Sequence, residues 1–162
     1  MHLTGPCLWF DTQAEEAAGY YVSIFKNDSR IVETVRAAEG GPLPAGAVLM
    51  VRFILDGRAF SALNGGPHFS FTPAVSFVVE CVDQAEVDAM WQRLSDGGAG
   101  SRCGWLTDKF GLSWQVVPSV LPILLGSPDR PAANRAMAAM MTMGKLDIAR
   151  LQQAFDNDNA PA

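Results

Sequence analysis

The sequence predicts an α+β fold of two tandem βαβββ modules followed by a helical tail. Three observations support this prediction. A strand, a capped helix and a run of strands follow one another twice along the chain. At one constant offset the two runs align: the Gln-Ala-Glu triplet beginning at Gln13 falls on the triplet beginning at Gln84, and Tyr20 falls on Trp91. Beyond residue 121 the pattern becomes helical.

The first module begins with a short apolar strand, Cys7–Phe10. Thr12 and Glu15 have the spacing of a capping box, which predicts a helix that runs to about Lys26. Further strands are predicted at residues 29–36, 48–55 and 59–63. The last two form a hairpin, because Asp56-Gly57 between them is a strong hairpin-turn signal.

The second module repeats this order. Its first strand is predicted at Ala74–Cys81, and Asp83 caps a helix that ends before Gly97-Gly98. The apolar face of this helix consists of Val87, Met90, Trp91 and Leu94. Two or three strands are predicted from residue 99 to residue 117, the last two of them joined by the turn Asp108–Gly111.

The tail is predicted to be helical from residue 122 to residue 155. Ser127-Pro128-Asp129 opens one helix, Gly144 closes it, and a last short helix follows. The methionines on one side of the tail are expected to pack against the sheets or a second subunit; they are Met137, Met140, Met141 and Met143. The predicted domains are thus the modules 1–66 and 67–121 and the helical extension 122–156, with a frayed end at 157–162.

Charge and cysteine content exclude several classes of function. The net charge of −5 lacks the positive surface that nucleic acids or anionic membranes require. No apolar run is long enough to span a membrane, and the N-terminus does not resemble a signal peptide. The three cysteines show no CxxC spacing, which is typical of reduced thiols in the cytoplasm. We therefore expect a cytoplasmic protein.

The strand from Leu112 to Val117 has one polar face. Leu112, Trp114 and Val116 fall on one side, and Trp114 is expected in the core. Ser113 and Gln115 fall on the other side, where a binding site would begin. Strand 48–55 alternates likewise, with Val51, Phe53 and Leu55 suited to packing under the helix and Met50, Arg52 and Ile54 opposite.

Several side chains have two interpretations. Arg52 would clamp a carboxylate or phosphate group, but pairing with a local acid or solvent is favoured. Trp9 and Trp105 would form an apolar wall with their indole N–H groups satisfied. For Asp11 and Asp108 we favour capping and turn roles over catalysis.

Cys103 is expected to be a buried thiol, since no histidine is assigned nearby as its base.

Motifs over nearly the whole chain carry a family resemblance. They are Trp9-Phe10-Asp11 with Ala14-Glu15-Glu16-Ala17, Ala62-Leu63-Asn64-Gly65-Gly66-Pro67, Cys103-Gly104-Trp105-Leu106, Asp108-Lys109-Phe110-Gly111, Ser113-Trp114-Gln115 and Lys145-Leu146-Asp147-Ile148. Together they resemble the vicinal oxygen chelate superfamily of glyoxalases, bleomycin-resistance proteins and extradiol dioxygenases. Within it they resemble the PhnB-like family, labelled 3-demethylubiquinone-9 3-methyltransferase. This resemblance implies a curled mixed sheet around a shared cleft, commonly within a homodimer.

Metal-dependent members of that superfamily bind a divalent ion through His, Gln or Glu on the first and last strands of each module. The matching positions here are Trp9 or Asp11, Ala62 or Asn64, Ala74 or Ser76, and Gln115. A neutral amide with alanine or serine does not replace imidazole and carboxylate ligands. Of the two histidines, His2 lies at the terminus and His68 in a loop. We therefore predict no metal and no cofactor.

The methyltransferase label finds no support in the glycine pattern. A Rossmann-type site for S-adenosylmethionine needs a glycine-rich turn after a strand that opens a helix. The glycines from Gly97 to Gly100 follow a helix instead, and Asn64-Gly65-Gly66-Pro67 leads into an aromatic loop.

The sequence thus predicts a metal-free protein that binds a small molecule, in a homodimer. The candidate ligand-binding residues are Trp9, Met50, Arg52, Asn64, Trp105, Ser113 and Gln115. Two alternatives remain open: an enzyme acting on a small aromatic or quinone-like substrate, and a dimeric scaffold whose cleft is filled by its own side chains. No catalytic residue is identified.

Overall fold

Each module of the protein is a four-stranded mixed sheet with one helix. The computed structural model describes residues 4–41 and 43–156, so that His2 and the predicted frayed end at 157–162 lie outside the described residues. The chain divides into two compact units between Phe71 and Thr72. The proposed domain boundaries at residues 66 and 121 stay a prediction.

The first unit contains one helix and four strands. They are β1 (Cys7–Phe10), α1 (Ala14–Ile24), β2 (Arg30–Arg36), β3 (Val48–Leu55) and β4 (Arg58–Asn64). The strand order is β1-β4-β3-β2. β1 lies parallel to β4, and the other neighbours are antiparallel.

The second unit repeats this topology and adds three helices. Its elements are β5 (Ser76–Cys81), α2 (Gln84–Leu94), β6 (Ala99–Gly100), β7 (Trp105–Thr107), β8 (Ser113–Pro118), α3 (Val120–Leu125), α4 (Arg130–Met141) and α5 (Ile148–Asp156). The order β5-β8-β7-β6, with β5 parallel to β8, reproduces that of the first sheet. The predicted α+β fold of two βαβββ modules and a helical tail is confirmed.

The two module helices begin in different ways. In α2 the carboxylate of Asp83 accepts a hydrogen bond from the Glu86 amide (2.9 Å), and the Glu86 carboxylate accepts one from the Val82 amide (2.9 Å), so the predicted cap is confirmed. The capping box predicted at Thr12 is wrong. The N-cap of α1 is Gln13, without a side-chain cap.

The α1 amide at Ala14 is instead bonded to the side chain of Asn64 at the end of β4 (2.8 Å). A residue this far along the chain is brought to the helix only by strand pairing, so no local sequence signal reveals the cap.

The hairpin between β3 and β4 has the predicted turn. Asp56 and Gly57 both adopt positive φ angles, 46° and 74°, as a type I′ turn requires. The predicted alternation of β3, the strand before this turn, is also confirmed, since Val51, Phe53 and Leu55 are buried in the first-unit core.

The tail has its own apolar core. It is formed by Leu121, Leu124, Ala136, Met143, Leu146 and Leu151, with Val117 and Met140 packed against them. Asp129 caps α4 through the Ala132 amide (3.0 Å), as predicted. The helix ends at Met141 rather than at Gly144. The methionine prediction is confirmed only in part, because Met137 and Met141 are 42% and 53% exposed.

Candidate functional site

The second sheet has an open face on the side opposite the buried Trp114 and Val116. Strand alternation places Ser113 and Gln115 of β8 on this face. The register pairs Ser113 with Ser76 and Thr107, and Gln115 with Val78 and Trp105, so these residues share the face. Sequence analysis had separated Ser113 and Gln115 from Trp114 in the same way, and the burial of Trp114, 3% exposed, confirms its core position.

A groove of about 390 Å³ lies at one end of this face. We call it the second-sheet groove; its lining residues are Pro73, Ser101, Trp105, Leu106, Thr107 and Ser113. Its volume falls in the range of about 300–1,000 Å³ found for small-molecule pockets. Trp105 and Ser113 were predicted from sequence. Pro73, Ser101, Leu106 and Thr107 were not, because residues distant in sequence meet there only in the folded chain.

Ser113 is the buried polar residue of the groove. The residue is 3% exposed and its side chain lines the groove. No buried side-chain nitrogen or oxygen among the described residues lacks a hydrogen-bond partner, so the Ser113 hydroxyl is not an orphaned buried group. Because Ser113 borders the groove, its hydroxyl is placed to form a hydrogen bond with a group bound there.

Gln115 lies beside Ser113 on the open face. Its side-chain amide donates a hydrogen bond to the Ser76 hydroxyl (2.9 Å). Both side chains are half-buried. The sequence resemblance matched Gln115, and either Ala74 or Ser76, to positions of metal ligands in metal-dependent enzymes.

The residues at these positions do not fit a divalent ion. An amide already bonded to a hydroxyl offers one weak oxygen ligand, whereas a divalent site needs several converging N, O or S donors. Within residues 4–41 and 43–156, no three His, Cys, Asp or Glu side chains come close enough to share an ion. Ala62 and Asn64 are buried on the helix side of β4, so they cannot complete such a site.

In the first unit, Arg52 is paired with an acid. Its guanidinium donates to the Glu33 carboxylate (3.0 Å), and the two side chains are 62% and 50% exposed. The favoured interpretation of Arg52 is thus confirmed. A groove of about 350 Å³ lies next to Arg52, and its lining also includes Ile54, Phe60 and Ser61. Met50 lies on the same face of β3 as Arg52, as alternation predicted.

The Trp9 side chain is held by contacts within the first unit. Its indole N–H donates to the Gly66 carbonyl (2.8 Å), and its ring meets Phe69 edge-on. A Cβ atom on Gly65 would lie 2.3 Å from the Trp9 ring, so glycine is required there. The motif Asn64-Gly65-Gly66 therefore serves close packing against Trp9.

Asn64 is likewise engaged with the backbone. Besides the bond to Ala14, its amide donates to the Val48 carbonyl (3.0 Å). The residue is buried, and both of its polar groups have partners.

The capping role predicted for Asp11 is wrong, because Gln13 is the N-cap of α1 and Asp11 is exposed.

Asp108 has the turn role that the sequence predicted. One carboxylate oxygen accepts hydrogen bonds from the amides of Phe110 (2.9 Å) and Leu112 (3.0 Å). The other oxygen accepts one from the Trp114 indole (2.8 Å), a contact that sequence reasoning missed. Asp108 thus links the β7–β8 turn to the core.

The thiols show no sign of a nucleophile. Cys103 is half-buried rather than buried as predicted, and its sulfur lies 3.6 Å from the Met141 sulfur. Cys81 is the buried thiol. Burial, with lesser contributions from Glu86, Asp83 and Glu80, raises the pKa of the Cys81 thiol to about 11. It therefore stays protonated and unreactive near neutral pH.

The model of the 3-demethylubiquinone-9 3-methyltransferase family matches residues 3–117. The chain belongs to this family. A putative 3-demethylubiquinone-9 3-methyltransferase, the PhnB protein from Bacillus cereus, is 34% identical to it, with a TM-score of 0.66 over 74% of this chain and 100% of that chain. A search of curated proteins gives no significant match.

More distant structures share the fold. A protein from Pseudomonas aeruginosa is 19% identical, with a TM-score of 0.59 over 73% of this chain and 98% of that chain. A fosfomycin resistance protein from Listeria monocytogenes, solved with manganese(II) and a dihydroxypropylphosphonic acid, is 14% identical, with a TM-score of 0.53 over 72% and 90%. These likenesses place the chain in the vicinal oxygen chelate fold.

The family label does not correspond to a nucleotide loop in this chain. Gly97 and Gly98 follow α2 and precede β6, so they do not open a helix. A Cβ atom on Gly98 would lie 2.1 Å from the Thr107 carbonyl oxygen, and the glycine therefore serves close backbone packing.

No helix among the described residues is long and apolar enough to cross a membrane.

Proposed function

We propose that this family member binds a small neutral molecule in the second-sheet groove without a divalent metal. The observation that carries this proposal is the lining of the groove, where the hydroxyl groups of Ser101, Thr107 and Ser113 lie around the Trp105 ring. A ligand oxygen bonded to the Ser113 hydroxyl would form a hydrogen bond in a largely buried position, where such a bond contributes to affinity.

The lining of the groove favours an uncharged, partly aromatic ligand. None of the six lining side chains is ionisable. Trp105 offers a ring for stacking, and Ser101, Thr107 and Ser113 offer hydroxyl groups for ligand oxygens. A substituted benzoquinone has this chemistry, and the label of the family also names a quinone. We therefore use dimethoxy-methyl-benzoquinone as the probe.

The candidate residues of the first unit have a smaller part in the proposal. Trp9 and Asn64 are left out because their polar groups are bonded to the backbone. Arg52 and Met50 remain candidates for a separate contact, but the guanidinium would bind an acidic group only after leaving Glu33. Gln115 would assist Ser113 through its position on the open face.

Binding without turnover is the activity that these residues favour. The six residues that line the groove include no histidine, carboxylate or cysteine that would act as a base or nucleophile. We further propose a cytoplasmic homodimer, in line with the family resemblance. The exposed apolar side chains of Ile123, Met137 and Met141 are suited to contact with a second copy. Native mass spectrometry would measure the oligomeric state.

Isothermal titration with the benzoquinone tests the proposal. Ser113→Ala should weaken binding about tenfold, because one hydrogen bond of about 1–1.5 kcal/mol is lost. Ser23→Ala is the matched control: Ser23 is an exposed serine of α1, and its loss should leave the affinity unchanged. Wild-type affinity in the Ser113 variant, or binding that a chelator abolishes, would refute the proposal. Turnover of many probe molecules per chain would favour an enzyme instead, whereas the free thiols of Cys7 and Cys103 could each consume only one quinone by addition.

A further inference from the structure

A short segment of the tail is fastened to the loop that forms one wall of the second-sheet groove. We call residues 143–148, which run from the connection after α4 to the first residue of α5, the strap. The family match ends at residue 117, and 74% of this chain accounts for the whole of the Bacillus cereus protein. The strap therefore lies beyond the part of the chain that the family model describes.

The strap forms two backbone hydrogen bonds with the loop before β7. The amide of Cys103 donates to the Met143 carbonyl (2.8 Å), and the amide of Gly104 donates to the Gly144 carbonyl (2.8 Å). A Cβ atom on Gly144 would lie 3.2 Å from the Ser101 carbonyl oxygen, which shows how closely the two backbones approach. The loop and the strap thus fit against each other at main-chain distance.

The loop needs such support because of its backbone conformation. Cys103 and Gly104 both adopt positive φ angles, 57° and 83°. This region is unfavourable for a residue with a side chain, so Cys103 keeps the conformation only where its surroundings compensate. The Gly104 carbonyl also accepts a hydrogen bond from the Val116 amide (2.8 Å), which ties the loop to β8.

The other end of the strap is held by α2. The side-chain amide of Gln84 donates to the Leu146 carbonyl (3.1 Å) and accepts from the Ile148 amide (2.8 Å). Lys145 pairs with Asp88 at 2.6 Å, and the Leu146 side chain is fully buried. The strap is therefore fixed between α2 and the loop.

The loop leads directly into the groove. Ser101 and Trp105 line it, and they are bonded to each other through the Ser101 amide and the Trp105 carbonyl (2.7 Å). The Trp105 amide also donates to the Arg102 carbonyl (3.0 Å). A displacement of Cys103 or Gly104 would consequently move the Trp105 ring.

We propose that the strap is a positioning element that holds the Cys103–Trp105 loop as a wall of the second-sheet groove and so sets the affinity for the ligand. Gln84 and Gly144 are then positioning residues: Gln84 holds the strap, and Gly144 permits its close approach to Ser101. The effect on affinity rests on the function proposed above. The effect on the loop does not depend on it.

Gln84→Ala tests the proposal in the full chain, with Gln13→Ala as the control. Gln13 occupies the repeat-equivalent position in the first module, where its side-chain oxygen accepts a hydrogen bond from the Thr12 amide (3.4 Å). Gln84→Ala removes the two hydrogen bonds to the strap and a third, from the Gln84 amide to the Asp88 carboxylate. This loss should speed hydrogen exchange at the Cys103 and Gly104 amides about tenfold and weaken benzoquinone binding about fivefold to tenfold. Fluorine NMR of protein labelled with fluorotryptophan should show a shift of the Trp105 resonance, assigned with Trp105→Phe.

The readouts separate failure of this inference from failure of the proposed function. If the wild type does not bind benzoquinone, the proposed function is wrong, whereas exchange and the Trp105 resonance still decide whether the strap positions the loop. Unchanged exchange, or faster exchange with an unshifted Trp105 resonance, would overturn the inference. A shifted Trp105 resonance in Gln84→Ala combined with wild-type affinity for benzoquinone would also overturn it. If Gln84→Ala does not fold, Gly144→Ala, which adds one methyl group against Ser101, is measured in its place.

Discussion

Replacement of Asp108 should destabilise the protein more than replacement of a turn residue usually does. The residue is 3% exposed, and its carboxylate accepts hydrogen bonds from the Phe110 and Leu112 amides and the Trp114 indole. Asp108→Ala leaves the donors of Leu112 and Trp114 buried without their partner. Each such donor costs about 1–3 kcal/mol, so we expect the free energy of unfolding to fall by about 3–5 kcal/mol.

Asp108→Asn separates the turn from the core contact. The amide keeps one oxygen for the Phe110 and Leu112 amides, but its NH₂ group faces the Trp114 indole N–H, and two donors cannot bond to each other. We expect a loss of about 1–3 kcal/mol, between wild type and Asp108→Ala.

Urea unfolding, followed by circular dichroism, measures both variants, with Asp11→Ala as the exposed control. A loss below about 1 kcal/mol in Asp108→Ala would refute this account of the residue, because a single orphaned donor already costs that much.

Three further predictions concern other parts of the molecule. Protein dialysed against nickel, zinc, manganese and iron salts should retain far less than one ion per chain after desalting; stoichiometric retention would contradict the donor set at Gln115 and Ser76. Gly19→Ala should raise the free energy of unfolding by about 0.5–1 kcal/mol, since a Cβ atom there meets nothing within 4 Å and alanine favours the helix; unfolding at lower urea would contradict this. A thiol reagent at neutral pH should modify Cys7 and leave Cys81 unmodified in the folded protein. Because the pKa of the Cys81 thiol is about 11 in the folded protein, above its unfolded value, the free energy of unfolding should decline as the pH rises from about 9 towards 11.

Most of the elements were predictable because their signals are local. The β3–β4 hairpin follows from Asp56-Gly57, whose residues tolerate the positive φ angles of the turn. The start of α2 follows from Asp83 and Glu86, which are close enough in sequence to cap one helical turn. The repeat was visible because both modules place these signals in the same order.

The predictions failed where the decisive contact joins distant residues. Thr12 and Glu15 have the spacing of a capping box, but Asn64 reaches the start of α1 through the pairing of β1 with β4. Cys103 was expected to be a buried thiol because no histidine was assigned nearby as its base. The structure shows it half-buried, at a positive φ angle and with its amide bonded to the distant Met143 carbonyl, and no local pattern indicates that contact.

The sequence by itself determined the two-module fold, its family, and the absence of a histidine at the positions where metal ligands would stand. These properties depend on residue identity and on local periodicity, which the chain carries before it folds. The tertiary structure decided which polar residues are available to a ligand. Asn64 and Ser113 are both buried polar residues at the ends of strands, yet the amide of Asn64 is bonded to the backbone and the hydroxyl of Ser113 faces a groove. Strand register and packing alone set this difference, because they determine which donors each side chain meets.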